Sequence, residues 1–329
     1  MMAADLALTK EELRRLILDA GAVAVGFAQA APVSAEFDNA FSRWLAEGNA
    51  ATMHWLGNHR QLRSDPRLLL EGARTVISVA FPYFQPQRRR ASLPQISMYA
   101  YGRDYHKVIP KLLRPVCRQI AALTGASTRI CVDSAPVAER YWALRAGIGR
   151  RGQNGSVIID GYGSFVFLAE ILTSLEIEPD APSTRHCSGC GRCRAACPGH
   201  AIGDDSLIRP QRCLSYLTIE HDAAAPLEQE SLDALASPAG RNTLYGCDIC
   251  QSVCPHNAHL FSRETPPDIP PDLLPRQPLM LTLDSDKAAG LTDEEWTAFT
   301  AGSAMRRAPA AMLHASALRL SKKDNTSYK

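Results

Sequence analysis

Eight of the ten cysteines lie between residues 187 and 254, and their spacing restricts the fold of this chain more than any other feature. The first run has the spacing C-x2-C-x2-C-x3-C-P and comprises Cys187, Cys190, Cys193 and Cys197. The second run comprises Cys247, Cys250 and Cys254, again followed by proline, and Cys213 lies between the two runs. Short C-x2-C steps let several thiolates converge on one inorganic centre, and the prolines turn the chain away from it.

The spacing of the first run is that of bacterial ferredoxins, which bind 4Fe–4S clusters. In that pattern three close cysteines hold one cluster and the fourth crosses over to the other cluster. With Cys213 replacing the missing leading cysteine of the second run, two complete ligand sets are predicted. They are Cys187, Cys190, Cys193 and Cys254 for one cluster, and Cys247, Cys250, Cys213 and Cys197 for the other.

Zinc and disulfides are the alternative uses of these cysteines. Zinc sites usually take two pairs of ligands and have no need of a C-x2-C-x2-C triple. Disulfides require an oxidising compartment, whereas the N-terminus has neither an apolar signal segment nor a twin-arginine run. We therefore predict a cytoplasmic iron–sulfur protein. Cys117 and Cys131 lie in apolar patterns and are predicted to be core thiols.

The composition indicates a packed protein of about two domains. The chain has 329 residues, of which 46% are hydrophobic and 21% are charged, and no apolar run approaches the ~20 residues of a membrane span. The net charge is only +2, so a nucleic-acid partner would have to bind at local basic patches. The candidate patches are Arg88–Arg90, Arg150–Arg151 and Arg306–Arg307.

Alternating helical and strand patterns before the cysteines predict an α/β or α+β domain. Strands are predicted at 22–27, 75–81, 129–132, 156–159 and 164–171, and helices after the Thr9–Glu12 capping box and at 36–47, 107–124 and 135–146. The last two strands are expected to be joined by a turn at residues 160–163. The predicted domains are an α/β domain over residues 1–180, a ferredoxin-like module over 181–264, and a proline-rich linker with a short helical C-terminus over 265–329.

Longer motifs resemble the epoxyqueuosine reductase family. The motifs that carry the resemblance are Tyr101-Gly102-Arg103-Asp104-Tyr105-His106-Lys107, Val132-Asp133-Ser134-Ala135-Pro136 with Glu139-Arg140, Ala146-Gly147-Ile148-Gly149, Gly163-Ser164-Phe165, Cys213-Leu214-Ser215-Tyr216-Leu217-Thr218-Ile219-Glu220, and Tyr245-Gly246-Cys247-Asp248-Ile249-Cys250-Gln251. They cover roughly residues 10 to 310 and are interleaved with the cysteine pattern. The chain resembles the short form of the family, without the full C-terminal repeat domain.

The resemblance implies a cobalamin-binding α/β domain and an oxidoreductase that reduces epoxyqueuosine to queuosine at the wobble position of tRNA, the last step of queuosine biosynthesis. Two 4Fe–4S clusters would pass single electrons to the cobalt. The implied partners are a tRNA with epoxyqueuosine in its anticodon and an external one-electron donor of the flavodoxin or ferredoxin type. We expect a monomer with no membrane partner.

Opening an epoxide without protonation would leave an alkoxide, so the reaction needs a general acid. The resemblance favours Asp133, whose pKa we expect an apolar pocket to raise; the alternative is that Asp133 or Ser134 caps a helix from Ala135. Asp104, Tyr105 and His106 are predicted to bind the substrate, although Asp104 could equally cap the helix that follows. The predicted cofactor contacts are Arg63, Asp133, Gln153, Asn154, Ser164, Ser215 and Asp248.

The D-x-H-x-x-G motif, whose histidine ligates cobalt, is incomplete here because Ile109 replaces the glycine. We therefore expect base-off cobalamin without a protein histidine on the cobalt. The glycine pattern at residues 147–152 follows a helix rather than a strand and is a poor dinucleotide site. Two other functions remain open from the sequence: a reductive dehalogenase-like enzyme that uses cobalamin, and a non-enzymatic iron–sulfur electron carrier.

Overall fold

The computed structural model describes residues 8–85, 87–262 and 268–321. Strands lie at Ala24–Gln29 (β1), Thr75–Pro82 (β2), Gln95–Ile96 (β3), Thr128–Cys131 (β4), Arg150–Arg151 (β5), Val157–Ile158 (β6), Val166–Thr173 (β7) and Thr243–Tyr245 (β8). Four of them form a sheet in the order β1-β2-β7-β4, and every pairing in this sheet is antiparallel. All eight residues of β2 are buried, as the β-branched run in the sequence indicates.

The helices of the described residues are mostly short. They lie at Lys10–Asp19 (α1), Ala35–Ala46 (α2), Arg60–Ser64 (α3), Tyr105–Thr124 (α4), Glu139–Arg145 (α5), Arg192–Ala195 (α6), Leu214–Ile219 (α7), Gln229–Ala236 (α8), Ile249–Ser252 (α9), Ala258–Phe261 (α10), Leu279–Thr282 (α11), Ser285–Gly290 (α12), Asp293–Thr300 (α13) and Ala310–Ser321 (α14). Thr9 and Glu12 form the predicted capping box at the start of α1. The longest helix, α4, includes Pro110 and Pro115 without ending.

Two sequence predictions of local structure are wrong. The helix predicted from Ala135 begins only at Glu139, because Asp133 adopts a left-handed backbone with φ of 47° and residues 134–138 form no helix. The strands predicted at 156–159 and 164–171 also do not form a hairpin. Instead β6 pairs with β5 and β7 joins the central sheet, and only a single bridge between Ile159 and Gly163 remains at the turn.

Hydrophobic cores cover both faces of the sheet. One core, with Trp142 and Val76, packs α5 on one face. The larger core on the other face joins α1 and α4 to residues near the C-terminus, including Trp296 and Leu313, which are fully buried. The C-terminal helices therefore stabilise the sheet that carries the site, while the domain limits at residues 180 and 264 stay a prediction. None of the described helices is long and apolar enough to cross a membrane.

Candidate active site and cysteine sets

Asp133 lies in the turn after β4, where its backbone is held in an uncommon conformation. A left-handed φ at a residue other than glycine costs on the order of 1 kcal/mol, so neighbouring contacts must hold it in place. One such contact is the bond from the Asp133 backbone N–H to Glu139 Oε1, at 2.5 Å. Neither Asp133 nor Ser134 caps α5, whose N-terminus has no side-chain cap. The Asp133 carboxyl side chain is 57% exposed and can meet a substrate.

The first turn of α4 approaches Asp133 from the other side. Asp104 caps this helix by accepting the His106 N–H at 3.1 Å, as one sequence alternative expected. Tyr105 donates its hydroxyl to Asp133 Oδ2 at 2.9 Å, and its ring stacks on Phe167 at 4.2 Å. The structure thus brings together all four residues predicted for catalysis and substrate binding.

The His106 ring joins two carboxylates. Its Nδ1 lies 2.7 Å from Asp104 Oδ1 and its Nε2 lies 2.9 Å from Asp133 Oδ2. An ionised carboxylate only accepts hydrogen bonds, so both ring nitrogens must donate, which requires the imidazolium form. Burial alone would lower the pKa of His106, but the hydrogen bonds and charges of Asp104 and Asp133 raise it to about 9.

The raised pKa expected for Asp133 is wrong. Burial does raise it, but the hydrogen bond and charge of His106 outweigh burial and hold the pKa of Asp133 below its ordinary value. The apolar surrounding expected for Asp133 is outweighed by a cation within hydrogen-bonding distance. The proton available to this pair therefore resides on His106 at neutral pH, with Asp133 as its exposed partner.

Two further carboxyl groups lie near the Asp133 turn, the half-buried Glu139 and the fully buried Glu170. Burial, followed by the charge of Asp133, raises the pKa of Glu139 to about 7. Burial and then the charge of Glu139 raise the pKa of Glu170 well above its ordinary value. Glu170 is fully buried on β7, where Ser78 donates to its Oε1 at 3.3 Å and its Oε2 has no partner. Sequence reasoning missed both residues, although a lone glutamate in the apolar run of β7 was a usable signal.

The first cysteine set comes together as the ferredoxin spacing predicts. Burial raises the pKa of Cys193, and the neighbouring Cys254 and Cys187 raise it further. The pKa of Cys254 is likewise raised by burial and then by Cys190 and Cys187. All four thiols line one narrow recess together with Gly152, Gln153, Asn154 and His256.

The second set, Cys197, Cys213, Cys247 and Cys250, forms a more buried group. Burial raises the pKa of Cys250 to about 12, and the charges of Cys213 and Cys197 contribute to the increase. Burial also raises the pKa of Cys247, with further contributions from Cys213 and Cys250. In the part of the chain that the structure describes, no three His, Cys, Asp or Glu side chains are arranged to hold a single metal ion. Cys117 and Cys131 are buried elsewhere, as core thiols should be.

Three of the predicted cofactor contacts lie near the site or the cysteines. Arg63 donates to the Val137 carbonyl at 3.2 Å, while its buried Nε has no hydrogen-bond partner among the described residues. Burial lowers the pKa of Arg63, although the nearby charges of Glu139 and Asp133 oppose the decrease. Gln153 and Asn154 line the recess of the first cysteine set.

The other predicted contacts are largely engaged inside the protein. The Ser164 hydroxyl donates to Gln251 and accepts from Asn257, both at 3.0 Å. Asp248 accepts from the Ser97 hydroxyl and, at 2.7 Å, from the Met98 N–H. Ser215 lies in the first turn of α7, two residues after Cys213. These bonds fix the loops around the second cysteine set, and a cofactor role for the three side chains stays a prediction.

Several arginines of the predicted basic patches already form hydrogen bonds or ion pairs within the protein. Arg89 is buried and donates to the carbonyls of Pro94 and Met280, each at 2.6 Å. Arg150 pairs with Asp160. Arg307 pairs with Glu220 at 2.6 Å, which leaves its exposed neighbour Arg306 as the stronger candidate for a phosphate contact.

Comparison with family models and known proteins agrees with these features. The model of epoxyqueuosine reductase QueG matches residues 63–134, which include Asp104, Tyr105, His106 and Asp133. The model of a 4Fe-4S double cluster binding domain matches residues 186–257, which include all eight clustered cysteines. The first matched segment therefore contains the hydrogen-bonded cluster around His106, and the second contains the two cysteine sets.

Curated relatives and solved structures extend the likeness over most of the chain. The epoxyqueuosine reductases of Synechocystis sp. and Gloeobacter violaceus are 37% and 38% identical to it, covering 87% and 89% of this chain and 97% and 89% of their own. The structure of epoxyqueuosine reductase from Streptococcus thermophilus has a TM-score of 0.77 at 29% identity, over 95% of this chain and 80% of that one. A crystal structure of epoxyqueuosine reductase with an epoxyqueuosine-modified tRNA-Tyr stem loop has a TM-score of 0.78 at 25% identity, over 94% and 80%.

Proposed function

The chain belongs to the epoxyqueuosine reductase family, and from this premise we propose that it reduces epoxyqueuosine in tRNA to queuosine with Asp133 and His106 as the proton-delivering pair. The observation that carries the proposal is the exposed Asp133 carboxylate bonded to an imidazolium. Removing the epoxide oxygen as water consumes two electrons and two protons. The site therefore has to receive electrons and supply protons at the same place.

The chain carries a 4Fe–4S double cluster domain, which accounts for electron supply. We propose that Cys187, Cys190, Cys193 and Cys254 hold one cluster and that Cys197, Cys213, Cys247 and Cys250 hold the other. The support is that each set of thiols lies close enough for mutual electrostatic effects. An external one-electron donor of the flavodoxin or ferredoxin type would reduce the clusters.

The residues around Asp133 also fit a large polar cofactor. The buried, unpartnered Nε of Arg63 can donate to an amide or phosphate oxygen, and Gln153 and Asn154 provide further amide groups toward the clusters. These residues would hold cobalamin, in the base-off form, with Ser164, Ser215 and Asp248 fixing the loops around it. When bound, cobalamin supplies a cobalt centre that accepts single electrons and reacts with the epoxide carbon.

The protein's own residues control the proton. His106 holds it, Asp133 presents it to the epoxide oxygen, and Tyr105 orients the carboxylate through its hydroxyl. Glu139 is a positioning residue because it binds the Asp133 backbone and does not reach the substrate side. Asp104 keeps the His106 ring in plane with Asp133 from the opposite nitrogen.

The direct test is anaerobic reconstitution of the full chain with iron, sulfide and cobalamin, followed by incubation with epoxyqueuosine-containing tRNA and a one-electron reductant. Mass spectrometry of the nucleosides should show conversion to queuosine. Conversion of an organohalide instead, or electron transfer with no change in the nucleoside, would favour the dehalogenase or the carrier function. We further propose that the protein acts as a monomer in the cytoplasm, where tRNA is modified.

The raised pKa of His106 leads to a prediction for the pH dependence of turnover. Because the imidazolium persists up to about pH 9, the rate should be flat through neutrality and fall as the pH rises through about 9. Single-turnover rates of pre-reduced enzyme measure this directly. His106→Gln should remove this basic limb, and a limb near the ordinary histidine value of about 6.5 would contradict the assignment.

Arg306 leads to a prediction for RNA binding. Arg306→Glu should raise the KM for tRNA by about tenfold and change kcat much less, since a lost phosphate contact affects binding rather than chemistry. The KM of the parental enzyme should also rise with salt. Arg15→Glu on α1 is the matched control, because it also reverses the charge of an exposed arginine. An unchanged KM for Arg306→Glu would exclude Arg306 from the surface that binds tRNA.

A further inference from the structure

Trp55 is a surface tryptophan that lies outside the hydrophobic cores. Its side chain is 44% exposed, whereas Trp142 and Trp296 are 2% and 0% exposed. It lies on the short 3-10 turn His54–Leu56, whose residues are all partly or fully accessible. A large ring held at the surface of an enzyme is suited to binding a flat partner.

The position of Trp55 links it to the active site. The guanidinium carbon of Arg307 lies 5.4 Å from the centroid of the Trp55 ring. The pKa of Arg307 is raised chiefly by its hydrogen bond to Glu220, and the charge of Asp133 adds to the rise. The segment just before Arg307 contacts the predicted site directly, because the Asp104 N–H donates to the Gly302 carbonyl at 2.9 Å. Arg307 is therefore near the Asp133 site, and Trp55 lies beside Arg307.

The segment that carries Trp55 is anchored. The Thr52 backbone N–H donates to the Tyr216 hydroxyl at 3.1 Å, and the Thr52 hydroxyl donates to the Glu220 carbonyl at 3.1 Å. Glu220 in turn binds Arg307 through two guanidinium nitrogens, with Nε–Oε1 at 2.8 Å and Nη2–Oε2 at 2.6 Å. Ring and guanidinium are thus held by one framework, which lowers the entropic cost of binding a ligand there.

We infer that Trp55 and Arg307 form a stacking platform for an unpaired nucleobase of the anticodon loop, next to the nucleotide that enters the active site. This inference rests on the proposed function. Bases of single-stranded RNA stack on aromatic rings and on arginine planes. Glu220 already neutralises Arg307, which favours an uncharged base over a phosphate as the occupant.

The experiment measures binding of fluorescently labelled tRNA stem–loops to the reconstituted protein. Stacking on one aromatic residue is worth roughly 1–3 kcal/mol, so Trp55→Ala should weaken binding of the intact stem–loop by about tenfold. Trp55→Phe should retain most of the affinity. Leu123→Ala is the matched control, because Leu123 is 39% exposed on α4, roughly 26 Å along that helix from His106.

A set of stem–loops, each with one abasic nucleotide in the loop, identifies the base. At one abasic position, the parental protein should bind about tenfold more weakly than it binds the intact stem–loop. Trp55→Ala should bind the intact stem–loop and this abasic stem–loop equally well, because the two changes remove the same contact. Parental affinity in Trp55→Ala would overturn the inference. The inference would also be wrong if Trp55→Ala weakened binding by the same factor for the intact stem–loop and for every abasic stem–loop.

Iron content and the visible spectrum of each variant show whether it is folded. If the parental protein binds the stem–loop and fails to reduce the modified base, the proposed function fails while the platform stands. If reduction proceeds and the abasic series shows no position that depends on Trp55, the platform fails and the proposed function stands.

Discussion

Asp133→Asn should lower the turnover of epoxyqueuosine by roughly 10²–10⁴-fold, the usual effect of losing a general acid–base group. Asparagine keeps the size of the side chain and can still accept a hydrogen bond from Tyr105. It removes one of the two carboxylate charges that raise the pKa of His106, so that pKa should fall and the proton needed at the epoxide oxygen should be held less firmly. Single-turnover kinetics with pre-reduced enzyme isolate this step from electron delivery.

The control for Asp133→Asn is Asp286→Asn on α12, an exposed aspartate remote in sequence from the site. It should turn over at the parental rate. Both variants should retain the parental iron content and bind cobalamin. Parental turnover in Asp133→Asn would show that the proton reaches the epoxide by a route that does not involve this carboxylate.

Cys213→Ala should remove the cluster of the more buried cysteine set and abolish turnover that depends on an external electron donor. Two complete sets of four thiolates correspond to about eight iron atoms per chain, and the variant should retain about four. Among the proposed ligands of its set, Cys213 alone lies outside the two cysteine runs, and its charge affects the pKa values of both Cys247 and Cys250. Iron and sulfide analysis with electron paramagnetic resonance of the reduced protein measures the result.

Cys117→Ala is the matched control, since Cys117 is a buried thiol on α4 outside both sets. It should keep about eight iron atoms. Full iron content in Cys213→Ala, or zinc in place of iron in the parental protein, would contradict the proposed ligand sets.

Several features could be predicted from the sequence because they depend on local spacing. The cysteine runs place ligands within a few residues of one another, and the capping box of α1 needs only Thr9 and Glu12. The buried strand β2 follows from its own β-branched residues. The family, its cluster domain and its mixed α/β fold were likewise predicted from the motifs and are confirmed.

Other features involve residues that are distant in sequence. Asp133 follows the end of β4 in an antiparallel sheet and meets the first turn of α4, which begins 28 residues earlier in the chain. Residues near the C-terminus join the core of the sheet, although the sequence suggests a separate segment after a proline-rich link. A hydrophobic pattern predicts that a residue is buried and does not predict which partner covers it.

The sequence by itself determined the iron–sulfur chemistry, because the cysteine ligands follow one another at short, regular spacing. Its family motifs also named the candidate site residues. Only the tertiary structure decided the ionisation of those residues. His106 and Asp133 are 27 positions apart and meet at 2.9 Å, and Glu139 bonds to the turn that precedes its helix. The pKa of a carboxyl group depends on the nearest charge and on burial, and both are set by the packing of β4, α4 and α5 around one turn.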